Sequence, residues 1–587
     1  MSSVATSSVD DDPAAPSGAS VGCESSRRAF PRLTSHQLWS CALAVGLPLA
    51  LYLVLRPEPF GLVPNGLDPW FYTGYAINFD DIFRDIGDGH YFVSRWSAYL
   101  PARLFTWVAG PQTGRLLLRW LLAVAMIASI WGLGRRWAWP MTTKLVVAVV
   151  VLTTPIFARA FLTDYVEWVV ASVGFILVCQ CLETRVTALR SALIGVLVAV
   201  IVIANPLAVA VTVGPTLAYV SRSSLTWSLR IRHAGCAAAA AVVTVASGWL
   251  YFRVAYGMPN LYRPTVEFVR DNTDFRDPLK SPQLTWMGAF TWIYVPMLLC
   301  AAAGLFPAVR SFVRESRAAL AVFLLLGIQY AMQWIDQFVR NGNGLEISYY
   351  WSFIYPALGV ALATFVGALR WSRRASVAFV AVWWFLLAAP SIVRIEIPAG
   401  WAFGALAIAM LIGLSTLSKR LPQLAVAGMM FFLLVIQIAA PGYDPAAYHP
   451  YNLSPRYHDI YYNSTASGEA FDEAIWLEGV LDTLPADARM YFLGIGAADP
   501  ISAIYGPQPM GRSVRLDADG VVPIDSLNAI AASGNTQLVV YGPPDVVDQS
   551  VAQVIAWFQR STVELERSHD DDLGFKVVVV IVRPSDL

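Results

Sequence analysis

About thirteen apolar stretches, each long enough to cross a hydrocarbon core of about 30 Å, recur along the chain up to residue 441. No other feature constrains the fold as strongly. Inside a bilayer every backbone N–H and C=O must find its partner within the chain, so runs of this kind form helices. They lie near residues 36–55, 115–134, 140–158, 166–182, 190–204, 207–221 and 234–255, and then near 286–306, 318–334, 348–369, 375–393, 400–416 and 423–441. The pair at 190–204 and 207–221 flanks Asn205 and Pro206 and reads as two spans or as one broken helix, while the run at 318–334 is short.

The composition agrees: 56% of the 587 residues are hydrophobic and only 14% are charged, a balance that excludes an ordinary soluble domain. The net charge is zero, so nothing points to nucleic acid as a partner. The six cysteines, Cys23, Cys41, Cys179, Cys181, Cys236 and Cys300, suggest neither a disulfide framework nor a zinc motif, and the CxC at Cys179 and Cys181 reads as packing. Residues 1–35 are rich in Ser, Ala, Asp and Pro and lack an apolar h-region, so they read as a disordered cytoplasmic tail with no cleaved signal peptide.

Charge placement orients the spans, because basic residues flanking them are retained in the cytoplasm. Arg135 and Arg136, Arg185 and Arg190, Arg222, Arg230 and Arg232, Arg310, Arg314 and Arg317, Arg370, Arg373 and Arg374, and Lys419 and Arg420 fall in every second loop. The expected protein is therefore a polytopic α-helical membrane protein of about 13 spans, with its N-terminus inside and its C-terminus outside. Residues 36–441 form the transmembrane domain, with a long first external loop at 56–113. After Pro441 the pattern changes: β-rich runs such as RMYFLGIG (489–496), TQLVVYGPP (536–544) and FKVVVVIV (575–582) alternate with helical ones, which predicts a C-terminal extracytoplasmic α/β domain at 442–587 with a largely parallel sheet. Gly494 and Gly496 make a GxG after a strand, but the third glycine of a dinucleotide fingerprint is missing.

Four external loops hold most of the polar residues near the membrane. The first has Asp68 in GLDPWFYTGY, Asp80 and Asp81 in NFDDIF, then Asp85, Asp88, His90, Arg95 and Arg103. A short second loop carries Arg159, Asp164 and Glu167; a third, at 257–285, carries Arg263, Glu267 and Arg270; a fourth carries Asp336, Arg340, Glu346, Tyr349 and Tyr350. Carboxylates and arginines converging at one membrane face, among aromatics, suit transfer from a polyprenyl-phosphate sugar. Arg95, Arg263 or Arg340 would pair with the phosphate at headgroup level. A carboxylate would take the proton of the acceptor hydroxyl. Trp70, Tyr72, Tyr75, Tyr349 and Tyr350, with His90, would line the sugar site with flat faces.

Plainer roles compete with these. Asp68 precedes Pro69 and could instead cap a helix N-terminus. Asp80, Asp81 and Asp85 suit the wet side of an interfacial helix. Asp164 and Glu167, three apart at the start of a span, share a helix face and divide between a site role and a salt bridge with Arg159.

On these residues the chain resembles the GT-C class of membrane glycosyltransferases, in particular bacterial family 39-like proteins, in which a DPWFYTGY-type segment follows span one and a segment such as Tyr91 to Arg95 comes later. The resemblance implies a catalytic first-loop acid, acting as base or metal ligand, at Asp68. It also implies a second acid near the third and fourth spans at Asp164, with Glu167 as a substitute. The chain has no WWDYG element, which speaks against an oligosaccharyltransferase, and lacks the acidic pair of protein mannosyltransferases because Pro69 follows Asp68. The acceptor and the metal requirement stay open, a divalent cation included.

The expected function is inverting transfer of a sugar from a lipid-linked donor to a cell-envelope glycan, lipid or protein, on the outer side of the plasma membrane and among its lipids. The alternatives are a transporter or flippase, disfavoured because the span interiors carry few ionisable residues, and a non-catalytic assembly scaffold.

Overall fold

The structure is a computed structural model. It describes residues 42–49, 72, 74–76, 91–139, 144, 147, 148, 151, 152, 166–221, 225–272, 307–340, 357, 360, 361, 490–495, 513–516, 520–532, 536–568 and 576–582. The tail at 1–35 and the expected spans at 286–306, 375–393, 400–416 and 423–441 lie outside the described residues. Contacts divide the chain into Met1–Leu43 and Ala44–Leu587, and every element from Tyr91 onward belongs to the second unit.

A 3₁₀ turn at Tyr91–Ser94 leads into α1 (Trp96–Ala109) and α2 (Pro111–Arg136). One residue, Gly110 at φ 81°, reverses the chain between these helices, a left-handed conformation that glycine adopts without a Cβ penalty. The hairpin closes tightly, since a Cβ at Gly114 would sit 2.3 Å from the Phe105 carbonyl oxygen. The other helices of this part are α3 (Val166–Leu182), α4 (Ala188–Ala204), α5 (Val209–Val220), α6 (Trp227–Tyr256), α7 (Arg263–Asn272), α8 (Pro307–Glu315) and α9 (Arg317–Trp334). Their ends follow local chemistry. Thr187 accepts from the Arg190 N–H and Ser316 from the Ala319 N–H as N-caps, and Gly257, at φ 67°, closes α6 by donating to the Arg253 carbonyl.

Among the described residues, Thr113–Arg136, Trp227–Tyr256 and Arg317–Trp334 are long and apolar enough to cross a membrane, and Val166–Leu182, Ala188–Ala204 and Val209–Val220 are shorter apolar helices. These six match runs expected from the sequence. The run at 207–221 needs a qualification: α5 has 12 residues, about 18 Å at 1.5 Å per residue, which is too short to cross alone. Asn205, held extended at φ −152° and ψ 118° ahead of Pro206, separates it from α4, as the steric demand of proline on its predecessor dictates.

Contacts fix the relative direction of these helices. Leu118 of α2 and Val166 of α3 share a cluster near the start of both, while Gln180, late in α3, donates to the Ser129 carbonyl of α2; the two run parallel. Ser191 and Gly195 of α4 meet His233 and Ala237 of α6 at a constant offset, so this pair is parallel too. Helix α9 is antiparallel to α5 and α3. Arg317 at its start donates to Ser221 just past α5 (3.3 Å), and Glu183, just past α3, accepts from the Ser316 hydroxyl (2.7 Å) and the Ala318 N–H (2.8 Å). Arg135 and Arg136 end α2, whereas Arg190, Arg230 and Arg317 begin α4, α6 and α9 or their first turns. Basic residues assigned to one side by sequence thus share one end of the bundle.

The C-terminal part holds β1 (Met490–Ile495), β2 (Ser513–Leu516), α10 (Ile524–Ala532), β3 (Thr536–Gly542), α11 (Pro544–Trp557), β4 (Thr562–Ser568) and β5 (Lys576–Val582), in a sheet of order β2-β1-β3-β5-β4. Leu527, Ile530, Val547, Val551 and Val554 of the helices pack on Leu493, Leu538, Val540, Val578 and Val580 of the sheet. Where a largely parallel sheet was expected, β1 pairs in parallel with β2 and β3, and β5 alone of the five strands is reversed, antiparallel to both β3 and β4. Seven residues link Ser568 to Lys576, enough for a return hairpin but short of the dozen or so that a parallel crossover needs. The edge strand β4, TVELERS, is exposed at nearly every position, and its charges guard an otherwise open ladder.

Candidate functional site

The bundle end opposite Arg135, Arg190, Arg230 and Arg317 is built largely from aromatic side chains. Tyr72, Tyr75, Phe92 and Tyr99 of the first-loop region, Leu118 of α2, Val166 of α3, Phe252 of α6, and Met258 and Leu261 beyond it form one buried cluster, with Trp96, Trp249, Tyr256 and Tyr262 packed around it. The starts of α2 and α3 and the end of α6 therefore meet beneath the expected external loops. Hydrogen bonds stitch the loops to the helices: Trp96 Nε1 donates to the Tyr262 hydroxyl (3.1 Å), Tyr262 donates to the Val245 carbonyl (2.9 Å), and Ser97 donates to the Val200 carbonyl of α4 (2.9 Å). Ser94 and Thr265 share a hydrogen bond that ties the 3₁₀ turn to α7. At Gly248 a Cβ would meet the Trp96 indole at 2.5 Å, so α6 must present a glycine where α1 begins.

At the centre of this cluster Tyr72 is held at both ends. Arg95, at the N-cap of α1 and 6% exposed, donates from Nη1 to the Tyr72 hydroxyl. Its guanidinium carbon lies 4.6 Å from the Phe92 ring centroid, and Phe92 itself stands edge-on to Tyr72 at 5.4 Å, so cation–π attraction supplements the hydrogen bond. Arg115 Nη1, from α2, lies 3.4 Å from the Tyr72 carbonyl oxygen, a long hydrogen bond. Tyr75 stacks on Tyr99 with centroids 5.0 Å apart. Burial raises the pKa of Tyr75 above the ordinary tyrosine value, with the Arg95 charge opposing, and burial raises that of Tyr99 too, with the neighbouring tyrosines adding. Both hydroxyls thus stay protonated at physiological pH.

Arg115 and Arg119 are 1% and 0% exposed and lie one turn apart on α2; Arg119 Nε is 3.4 Å from the Arg115 carbonyl. Side chains on a helix lean toward its N-terminus, so both guanidinium groups reach toward the aromatic end. Glu167 is 0% exposed in the first turn of α3, which packs on α2. Arg119 and Glu167 follow directly on Leu118 and Val166, which share the aromatic cluster, and Arg115 lies about one turn before Leu118. Buried charge near a membrane is costly unless balanced by opposite charge and hydrogen bonds, so their concentration marks this bundle end as chemically special.

The residues expected at a site from sequence divide as follows. Arg95, Tyr72, Tyr75 and Glu167 are all buried at this end, the first three in direct contact or in one cluster. Arg263 and Arg340 are exposed, and each faces an acid one turn away: Glu267 at 2.8 Å and Asp336 at 3.9 Å. Asp68, Trp70, His90, Asp164, Tyr349 and Tyr350 lie outside the described residues. Arg115 and Arg119 did not figure among the expected site residues. Their signal was present in PQTGRLLLRW, two arginines four apart inside an apolar run, and they qualify the view that span interiors are nearly free of ionisable groups. Among the described residues no group of three or more His, Cys, Asp or Glu is disposed to hold a metal ion.

No protein-family model matches the chain, and no curated protein matches it in sequence. Solved structures do. That of ArnT from Cupriavidus metallidurans bound to undecaprenyl phosphate matches with a TM-score of 0.55 at 16% identity, over 92% of this chain and 97% of that one. ArnT from the same organism in the apo state matches at 0.53 and 16%, over 93% and 98%. The chain thus shares the fold of these two structures.

Proposed function

We propose that this chain is a multi-pass glycosyltransferase of the plasma membrane that moves a sugar from a polyprenyl-phosphate donor to a cell-envelope acceptor on the extracytoplasmic side, with inversion at the anomeric carbon. The observation that carries the proposal is the meeting of Arg95, Arg115, Arg119 and Glu167 with an aromatic cluster at one bundle end, in a fold shared with a protein whose structure holds undecaprenyl phosphate. A lipid phosphate needs buried or half-buried arginines at headgroup depth, and a sugar needs aromatic faces.

In this scheme Asp68 is the base. In sequence it lies four positions before Tyr72, which contacts Arg95 and Arg115. Its carboxylate takes the proton of the acceptor hydroxyl as that oxygen attacks the anomeric carbon. The bond from that carbon to the phosphate oxygen breaks, and the electron pair leaves with the polyprenyl phosphate, whose charge arginine stabilises. Of the three arginines expected at the phosphate, Arg95 is favoured by its burial. Arg263 and Arg340, exposed and each facing an acid, suit the outer approach of the anionic donor. Asp164 or Glu167 orients the acceptor or a metal. Trp70, His90, Tyr349 and Tyr350 line the sugar site, and Tyr72 and Tyr75 support it from beneath.

The test is Asp68→Asn in membranes where insertion of the variant is verified. Transfer should fall by at least about 10³-fold, in line with loss of a general base together with its charge; retained activity would remove Asp68 from the mechanism.

A further inference from the structure

The end of the bundle away from the aromatic cluster is strongly basic. At the end of α2, in the turn from α3 to α4, in the first turns of α4 and α6, in α8 and at the first residue of α9, nine arginines stand against two glutamates, Glu183 and Glu315. Both acids bond uncharged groups: Glu183 accepts from the Ser316 hydroxyl and the Ala318 N–H, and Glu315 from the Ser311 hydroxyl at 2.9 Å. Among the described residues Arg136, Arg232, Arg310 and Arg314 are exposed and form no ion pair. Arg190 and Arg317 lie in the first turns of α4 and α9, where the helix dipole disfavours a cation. They donate to neutral oxygens, the Arg185 carbonyl at 2.8 Å and the Ser221 hydroxyl at 3.3 Å. Positive charge is thus gathered at this end with few carboxylates to balance it.

The apolar side chains around these arginines say what they face. Helix α8 buries Val309 and sets Phe312 edge-on to the Trp137 ring, 5.4 Å away, just past the end of α2, while Arg310 and Arg314, one turn apart, stay on its exposed side. Elsewhere on this end large apolar side chains lie open beside the cations: Leu189 precedes Arg190, Ile231 stands between Arg230 and Arg232, and Trp227 lies one turn earlier, all of them exposed. Water or an acidic soluble protein would leave that apolar surface unsatisfied. The headgroup layer of a bilayer satisfies both, because acyl chains take the apolar side chains and phosphates take the guanidinium groups.

We propose that this basic end is a binding surface for anionic phospholipid, organised by α8, on which Arg310 and Arg314 pair with headgroup phosphates while Phe312 seats the helix against Trp137. Two guanidinium groups a turn apart on a short helix lying against the bundle present their donors to one neighbourhood of the headgroup layer, and a guanidinium matches the phosphate oxygens in shape as well as charge. A bilayer with a negative surface draws such a cluster in, and salt weakens the attraction. The surface lies at the opposite end of the bundle from the arginines proposed for the sugar donor and does not depend on that reading.

The test uses the full chain in nanodiscs of phosphatidylcholine alone or with about one-third phosphatidylglycerol. Phosphatidylglycerol should raise the unfolding temperature by about 3–5 °C, as a ligand of the folded state does, and about 0.5 M salt should remove most of the rise. The double variant Arg310→Gln with Arg314→Gln should lose at least about half of the rise and keep its unfolding temperature in phosphatidylcholine within about 1 °C. Arg560→Gln with Arg567→Gln removes the same charge from exposed positions of the C-terminal part and should leave the rise intact. A photoactivatable phosphatidylglycerol should crosslink to peptides covering residues 307–317 of the unmodified chain, which decides the location even if the Arg310 and Arg314 variant does not fold. The proposal is overturned if phosphatidylglycerol gives no rise, if the two double variants lose it equally, or if crosslinks fall only at the aromatic end. Soluble polyglutamate giving the same rise in phosphatidylcholine would overturn it too, since the surface would then serve an acidic macromolecule rather than lipid.

Discussion

Gly195 of α4 and Ala237 of α6 meet backbone to backbone: a Cβ placed on Gly195 would lie 1.9 Å from the Ala237 carbonyl oxygen. Four residues earlier on each helix, the Ser191 hydroxyl lies 3.2 Å from His233 Nδ1. Because lipid is as apolar as the helices it surrounds, association inside a bilayer depends on close approach at small residues rather than on hydrophobic burial. Gly195→Val should therefore push α4 and α6 apart at a cost of about 1–3 kcal/mol, as overpacked contacts do. A detergent thermal-shift measurement should report a lower melting temperature, whereas the same change at Gly235, where nothing lies within 4 Å, should leave it nearly unchanged.

Glu183 closes the other end of the bundle. Its Oε1 accepts from the Ser316 hydroxyl and from the Ala318 N–H in the first turn of α9, so a carboxylate from one helix end satisfies an orphan donor of another and complements its dipole. Glu183→Ala should destabilise the protein by about 1–2 kcal/mol. Glu183→Gln, which keeps an acceptor and loses the charge, should cost less. Equal losses for the two would show that charge, not the hydrogen bonds, sets the effect.

The division between what was readable and what was not follows the physics of each part. Apolar runs predicted the six apolar helices among the described residues, and Arg135, Arg190, Arg230 and Arg317 gather at one end of them, because both depend on the local match between chain and bilayer. Order within the C-terminal sheet was not readable. The insertion of β5 between β3 and β4 depends on a pairing across sequence, and the continuous valines of β5 suit a central strand of either direction. The polar centre was half readable. Arg95 and Glu167 could be seen because they sit in loops or at span ends, while Arg115 and Arg119 were masked by the apolar residues between them, and the double hold on Tyr72 is a tertiary fact with no local signature.

Lys576 at the start of β5 bonds Asp548 of α11 at 2.5 Å and Glu566 of β4 at 2.6 Å. Hydrogen bonds from the ammonium to Asp548 and then Glu566 raise its pKa above the ordinary lysine value. A lysine whose folded value is raised contributes stability that is fully present below its unfolded value and is lost as pH rises through the folded one. The contribution is small, since both acids are more than half exposed. Thermal unfolding of the full chain followed through the C-terminal domain should therefore show a modest loss confined to strongly alkaline pH, and Lys576→Met should abolish that pH dependence.

Glu167 offers the sharpest stability test at the polar centre. It is 0% exposed at the start of α3, and α3 runs parallel to α2, where Arg115 and Arg119 are equally enclosed. Were Glu167 only a catalyst, Glu167→Gln would leave the fold intact, because an amide has almost the same shape and can occupy the same space. If its negative charge balances the buried arginines, the same substitution removes part of that balance in a medium that solvates charge poorly, at a cost of about 3–5 kcal/mol. The expected outcome is the second: Glu167→Gln lowers the melting temperature, and the double variant Glu167→Gln with Arg119→Met recovers much of the loss by removing charge of the opposite sign. Additive losses in the double variant would show that the two charges do not interact, and Glu167 would then be free to serve the acceptor rather than the fold.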